Sequence, residues 1–180
     1  MDKKSNLIWL DLEMTGLNVA KDRIIEIATI VTDKDLNIIA YGPELTINQP
    51  ERLLKDMDEW NTTHHTASGL LAKVIKSNIT ETAAESQTLA FLTQYVEPSC
   101  SPMCGNSIYQ DRRFLMAYMP RLEEFFHYRN LDVSSLKILA QNWAPEIYAK
   151  LTKDSNHRAM DDVVGSIDEL KFYRQNILQI

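Results

Sequence analysis

Apolar residues follow a strand-like pattern in the first quarter of the chain. Residues 6–14, 23–33 and 36–47 are rich in β-branched or alternating apolar residues, which is typical of strands. The second and third segments are separated by a very short link, Asp33-Lys34-Asp35, which favours a hairpin. We therefore expect three leading strands, with this first hairpin antiparallel.

Beyond residue 47 the apolar positions recur at the three- and four-residue spacing of helices. The pattern predicts helices over 50–58, 66–76, 82–96, 109–126 with a break near Pro120, 134–143, a short one from Pro145, and 159–178. Short apolar segments at 102–105 and 131–133 predict two further strands. Strands followed by alternating helices and strands indicate an α/β fold, in which helices flank a mixed central sheet. With 180 residues and no repeat or linker, we expect a single domain over 1–180.

Local signals predict how three of these helices begin and pack. Thr82 with Glu85 has the spacing of a capping box, and Ser134 is a candidate N-cap. The helix after Ser134 is expected to bury the face formed by Leu136, Leu139 and Trp143. In the last helix, Val163, Ile167 and Leu170 are expected on one side.

Two acids lie where the first strand should be buried. Side chains alternate across a strand, so Asp11 and Glu13 share a face with Leu7 and Trp9. Neighbouring carboxylates repel one another and lose hydration on burial. A divalent cation would offset both costs, because hard ions prefer oxygen ligands. The alternative is that the strand ends there and both acids are solvated.

A second candidate group lies near the C-terminus. In a continuous helix His157 and Asp162 would point about 140° apart, so they would not share a face. We expect His157 on the loop that enters the helix, where it could take a proton from water, and Asp162 pointing inward. Alternatively His157 caps the helix or lies on the surface. Asp161 is expected to be a surface or structural residue, and Asp111, taken alone, is typical of a surface acid in a first helical turn.

Charge and composition restrict the partners. The net charge is −6 with no basic stripe, which argues against binding of long duplex nucleic acid. Any nucleic-acid substrate is therefore expected to be short, or to be held at one end by a metal-bearing site. The two cysteines, Cys100 and Cys104, lack a second Cys/His pair nearby, so we expect reduced thiols rather than a zinc site. We see no secretory signal or membrane span, and we expect a cytoplasmic protein.

Together the acids and the histidine resemble the DEDD exonuclease superfamily, in the branch with a histidine in its third motif. Asp11 and Glu13 match D-x-E, Asp111 matches the middle aspartate, and His157 with Asp162 matches H-x-x-x-x-D. The resemblance is closest to oligoribonucleases and runs nearly end to end. It is carried by WLDLEMTGL at 9–17, HHTASGL at 64–70, CGNSIYQDRRF at 104–114 and YRNLDVS at 128–134.

The resemblance implies a ribonuclease H-like exonuclease fold and a 3′-to-5′ exoribonuclease that releases nucleoside 5′-monophosphates. Asp11, Glu13, Asp111 and Asp162 would hold two divalent ions, Mg²⁺ or Mn²⁺, with Asp11 bridging them. His157 would be the general base for the attacking water.

The resemblance also implies a substrate, namely short RNA and especially 5′-phosphorylated dinucleotides. Leu17 and Trp60 would wedge the bases. The far phosphate would be capped by polar residues, including one from the second subunit of a homodimer: His65, Ser107, Arg129, Ser134 and the partner's Tyr128. Two alternatives remain open here: an RNA-trimming or proofreading exonuclease for longer single strands, and an inactive nucleic-acid-binding module.

Overall fold

A computed structural model of the protein describes residues 2–151 and 158–178. Within this part of the chain six strands form one sheet: β1 Leu7–Met14, β2 Ile24–Thr32, β3 Ile38–Tyr41, β4 Leu45–Thr46, β5 Met103–Gly105 and β6 Asn130–Asp132. The order is β3-β2-β1-β5-β6, and β4 also pairs with β2. The β1–β2, β2–β3 and β2–β4 pairs are antiparallel, whereas β1–β5 and β5–β6 are parallel. The predicted mixed sheet and antiparallel first hairpin are confirmed.

Helices cover both faces of this sheet. They are α1 Glu51–Lys55, α2 Glu59–Ala67, α3 Leu70–Lys76, α4 Glu81–Leu92, α5 Tyr109–Tyr118, α6 Pro120–Phe125, α7 Val133–Trp143, α8 Pro145–Tyr148 and α9 Ala159–Tyr173, which continues into a π-helical turn, Arg174–Leu178. The predicted break at Pro120 is confirmed. Among the described residues, 2–151 and 158–178, no helix is long and apolar enough to cross a membrane.

Two predicted segments were wrong because backbone chemistry interrupts them. The third strand is split into β3 and β4, since Pro43 has no N–H to pair. The N–H of the preceding residue, Gly42, still donates to the Thr29 carbonyl. The helix predicted over 66–76 is divided between α2 and α3 by Gly69, which adopts a φ of 73°. Most of α2 escaped prediction because it buries only His65 and so has no apolar face to detect.

Both predicted caps were wrong by two residues. Thr80, not Thr82, caps α4 by accepting from the Ala83 N–H. Asp132, not Ser134, caps α7 by accepting from the Ser134 N–H. A hydrogen-bonding side chain is a cap only where the chain enters the helix, and tertiary packing sets that point.

Alternation along β1 separates two apolar clusters. Ile8, Leu10 and Leu12 pack with side chains of α4, α5 and α6, and this cluster includes Phe125 and Phe126, which are therefore core residues. Trp9 on the opposite face packs with side chains of α7 and α9. The face of Asp11 and Glu13 is thus the one that α9 covers.

The buried face predicted for α7 was largely wrong. Val133 and Ala140 are its buried residues, whereas Leu136 is half-buried and Leu139 is exposed. Trp143 is 77% exposed. The predicted face of α9 is correct, since Val163, Ile167 and Leu170 are all buried.

Candidate metal and nucleotide site

Three carboxylates converge at the end of β1. Asp11 and Glu13 project from the same face of the strand, and Asp162 meets them from the first turn of α9. Each offers an oxygen, and these oxygens lie within 4.8 Å of one another. The packing of α9 on β1 brings together acids that are about 150 residues apart in sequence. The solvated alternative for Asp11 and Glu13 does not hold, because both are half-buried within this group.

Asp111 approaches the same strand from the opposite side. It is buried, and its Oδ1 accepts a hydrogen bond of 2.9 Å from the Leu12 N–H. That N–H lies beyond Trp9, where the pairing of β5 with β1 ends. The surface role that Asp111 suggests in isolation is therefore wrong. It stands outside the group of three but borders it, because its charge acts on Glu13.

The electrostatics of the group oppose full ionisation. Burial, followed by the charges of Asp162, Glu26 and Asp111, raises the pKa of Glu13 from 4.5 to about 8. Burial also raises the pKa of Asp111 to about 7, partly offset by the hydrogen bond from Leu12. A set of oxygen donors with excess negative charge fits hard divalent cations such as Mg²⁺ or Mn²⁺.

A buried ion pair holds the start of α9. Glu26 is 0% exposed and lies opposite Glu13 in the β1–β2 register. Its carboxylate accepts from Arg158 Nη2 at 2.7 Å, from Arg158 Nε at 3.1 Å and from the Ala159 N–H at 3.1 Å. Arg158 also contacts Glu44. These bonds tie the first turn of α9 to the sheet and so place Asp162.

Sequence reasoning missed Glu26, although a signal was present. It is the single acid in an apolar run, Ile24-Ile25-Glu26-Ile27-Ala28, and the argument applied to Asp11 and Glu13 applies to it equally.

The histidine of the third motif lies outside the described residues. The loop position expected for His157 therefore stays a prediction; the described helix α9 begins at Ala159. Asp161 is exposed, as predicted.

The two apolar side chains that the resemblance assigns to the bases are open to solvent. Leu17 is 67% exposed and Trp60 is 58% exposed. The Trp60 ring stacks on His64, with ring centroids 3.9 Å apart. Gln110 Nε2 donates to the Leu17 carbonyl at 3.0 Å, which ties its loop to α5. Exposed apolar groups held in this way can contact flat, partly apolar ligands such as bases.

His65 lies on α2 beneath this surface. Its Nε2 donates to the Met14 carbonyl at 3.0 Å, which leaves the lone pair on Nδ1, an atom without a hydrogen-bond partner among the described residues. Burial lowers the pKa of His65 from its usual value of 6.5, which favours the neutral ring. A neutral His65 supplies an acceptor but no positive charge.

Ser107 and Ser134 meet where β5 and β6 end. Their Oγ atoms are 3.1 Å apart, and Ser134 Oγ also lies within hydrogen-bond distance of Asn106 Oδ1. Asn106 Nδ2 in turn donates to Ser166 and Glu169 of α9. Two hydroxyls are thus held side by side by a network that sequence analysis did not predict.

Tyr128 and Arg129 form a separate exposed pair just before β6. The Arg129 guanidinium lies over the Tyr128 ring, 5.4 Å from its centroid. Both side chains are exposed, so both are available to a ligand or to a second chain.

Comparisons with known proteins identify the family to which the chain is similar. Residues 8–170 match a protein family described as exonuclease. The chain is 62% identical over 177 residues to the oligoribonuclease of Alcanivorax borkumensis, covering 98% of each chain. It is 61% identical over 175 residues to that of Coxiella burnetii, covering 97% of this chain and 96% of the relative.

Solved structures share the fold at low identity. E. coli exonuclease I in complex with a dT13 oligonucleotide superposes with a TM-score of 0.75 at 17% identity, covering 97% of this chain and 42% of that one. Exonuclease I without ligand gives a TM-score of 0.73. The chain spans less than half of these larger proteins, and the likeness concerns the fold alone.

Proposed function

We propose a function from one premise, that the chain belongs to the oligoribonuclease family of metal-dependent 3′-to-5′ exoribonucleases. Its substrates are short oligoribonucleotides, with 5′-phosphorylated dinucleotides preferred, and its products are nucleoside 5′-monophosphates. The observation that carries the chemistry is the convergence of Asp11, Glu13 and Asp162 within 4.8 Å. One exonuclease domain over 1–180 would contain the whole site.

Asp11, Glu13, Asp111 and Asp162 would hold two divalent ions, Mg²⁺ or Mn²⁺, with Asp11 shared between them. When bound, such ions lower the pKa of the attacking water and stabilise charge on the leaving 3′-oxygen. The raised pKa of Glu13 supports this role. Ionisation of Glu13 is unfavourable in the protein alone, and a bound cation would favour it.

His157 acts as general base. It accepts the proton of the attacking water as the oxygen bonds to phosphorus, and the P–O bond to the departing 3′-oxygen breaks. Its place in the H-x-x-x-x-D motif, five residues before Asp162, supports this role, because the resemblance assigns the base to that histidine.

Leu17 and Trp60 wedge the two bases of the substrate, and their exposure supports that role. Ser107, Ser134 and Arg129 bind the terminal 5′-phosphate, the two hydroxyls as neighbouring donors and the guanidinium as the positive charge. The positive charge at this end comes mainly from Arg129. The neutral form of His65 offers only a lone pair at Nδ1, so His65 would bind a phosphate oxygen by donating from a protonated Nδ1. A phosphate bound at a closed end favours the shortest substrate.

The active unit is a two-fold homodimer, in which the partner's Tyr128 completes the phosphate cap. The high exposure of Tyr128 supports this arrangement. The compartment is the cytoplasm, and the free thiols of Cys100 and Cys104 are consistent with it.

The test is hydrolysis of a series of 5′-phosphorylated RNAs from dinucleotides to decanucleotides, with Mg²⁺ and with Mn²⁺. We expect the highest kcat/KM on the dinucleotide and a steady fall with length. A preference for long strands would instead favour the trimming or proofreading alternative. Hydrolysis that persists in excess chelator would refute the metal mechanism.

A further inference from the structure

Arg112 follows Asp111 on α5, and most of its hydrogen bonds go to one short segment of the chain. Its guanidinium makes five hydrogen bonds, all of 3.2 Å or less. The acceptors are Glu123 Oε1, the carbonyls of His127, Tyr128 and Arg129, and Asn130 Oδ1. Four of the five acceptors belong to the turn 127–130, which includes Arg129 of the proposed phosphate cap and Tyr128, proposed to complete the cap of the partner subunit.

The contacts of Arg112 are those of a structural clamp. Its side chain is only 12% exposed, and it forms an ion pair with Glu123 of α6. Every nitrogen of the guanidinium donates to protein, so its charge is committed to holding the turn. The planar fork of an arginine can reach several acceptors at fixed angles, whereas a lysine ammonium cannot reproduce that pattern.

The direction of the contacts determines what faces outward. The carbonyls of residues 127–129 turn inward to Arg112, while the side chains of Tyr128 and Arg129 are exposed. The guanidinium thus determines how these two side chains are presented.

Asp111 and Arg112 point in different directions from one helix. Successive helical residues are about 100° apart, so adjacent residues can hold separate elements. Asp111 accepts from Leu12 on the strand that carries the acids, while Arg112 holds the turn 127–130. The first turn of α5 therefore bridges the two ends of the proposed substrate site.

We propose that Arg112 is a positioning residue that sets the separation between the metal site and the terminal-phosphate site, and thereby the preferred substrate length. The inference rests on the proposed function, because it assumes that Arg129 binds the terminal phosphate in its own subunit and that Tyr128 completes the cap of the partner subunit. Arg112 touches neither the substrate nor the metal; it acts through the turn.

The test compares Arg112→Lys with the wild type on a 5′-phosphorylated dinucleotide, a 5′-hydroxyl dinucleotide and a 5′-phosphorylated tetranucleotide. We expect kcat/KM on the phosphorylated dinucleotide to fall about tenfold or more, mainly through KM, because small misplacement of binding groups is costly. The hydroxyl dinucleotide lacks the capped phosphate and should lose much less. The preference for dinucleotide over tetranucleotide should shrink, and Mn²⁺ affinity should stay within about twofold because Asp111 keeps its bond to Leu12.

Two further variants separate positioning from general damage. Arg121→Lys changes an exposed arginine on α6 and should behave as wild type in all three assays. Glu123→Gln weakens the ion pair without touching the turn, and should shift the phosphorylated-to-hydroxyl ratio in the same direction by a smaller factor. Thermal unfolding of each variant monitors folding.

The outcomes distinguish the inference from the proposed function. A wild type without dinucleotide preference would overturn the proposed function itself. A wild type with that preference, together with an unchanged ratio in folded Arg112→Lys, would overturn only the role of Arg112. Equal losses on all three substrates would show a purely structural arginine and would also overturn it. If Arg112→Lys fails to fold, the ratio measured in Glu123→Gln decides.

Discussion

Two acids of the candidate site, Glu13 on β1 and Asp111 on α5, are at least partly buried, so their ionisation is unfavourable. Glu13 and Asp111 both have raised pKa values, chiefly because of burial. An acid that is costly to ionise in the protein alone is stabilised by a bound cation, so affinity for metal and affinity for protons compete at the same oxygens.

Replacing Asp162 by Asn should remove one of the three convergent carboxylates while keeping the size of the side chain. We expect turnover to fall by more than about a hundredfold, since even residues that only support metal ligands can cost tenfold to a hundredfold. Mn²⁺ affinity, measured by calorimetry, should fall in parallel. Asp161→Asn is the matched control, because Asp161 is the exposed neighbour. Comparable losses in both variants would contradict the assignment of Asp162.

His157→Ala should lose most of its turnover but keep most of its Mn²⁺ affinity, because the residue is proposed to move a proton and not to hold an ion. In the wild type, kcat/KM should fall toward acid pH, because protonation of the histidine removes the base. A pH–rate profile and a metal titration measure the two effects. Loss of metal binding equal to the loss of turnover would make His157 a ligand instead.

At the scale of elements, the site depends on β2 as well as on β1. Glu26 lies opposite Glu13, and its carboxylate holds Arg158 and the first turn of α9. The position of Asp162 therefore depends on a contact across the sheet and not on the helix alone.

Glu26→Gln should destabilise the fold by about 3 kcal/mol, because it leaves half of a buried ion pair. Mn²⁺ affinity should fall as well, because α9 is released from the sheet. Glu44→Gln removes the more exposed partner of Arg158 and should cost less than about 1 kcal/mol. Urea unfolding and metal titration of both variants test this. Equal destabilisation of the two variants would show that burial does not increase the contribution of Glu26 to the free energy of unfolding.

Stability of the whole metal-free molecule should depend on pH in an unusual direction. Because the pKa of Glu13 is raised from 4.5 to about 8, the folded state holds a proton that the unfolded state has released within that window. The sign follows from linkage: metal-free stability should fall as pH rises from about 4.5 to 8. Asp111 acts in the same direction up to about pH 7.

Thermal unfolding from pH 5 to pH 8 should show this decline without metal and a smaller decline with Mg²⁺ or Mn²⁺, since bound cations favour the ionised carboxylates. In Glu13→Gln the metal-free decline should be shallower than in the wild type. An identical slope in the two proteins would show that Glu13 ionises normally.

Much of this molecule could be predicted from local pattern. The alternation in β1 and the long apolar run of β2 identify strands, because apolar period is a property of neighbouring residues. The sequence order of Asp11, Glu13, Asp111, His157 and Asp162 identified the superfamily. The same alternation correctly placed Asp11 and Glu13 on one face.

Only the tertiary structure decided which residues are buried, which residues cap the helices and which distant polar groups pair. The exposed Trp143 and the cap at Thr80 depend on how a helix packs, which its own residues do not specify. Glu26 finds its partner Arg158 at a separation of 132 residues, and Arg112 finds a turn beyond the next helix. Such contacts form because packing brings distant polar groups out of water together, and their chemistry is visible only once that packing is known.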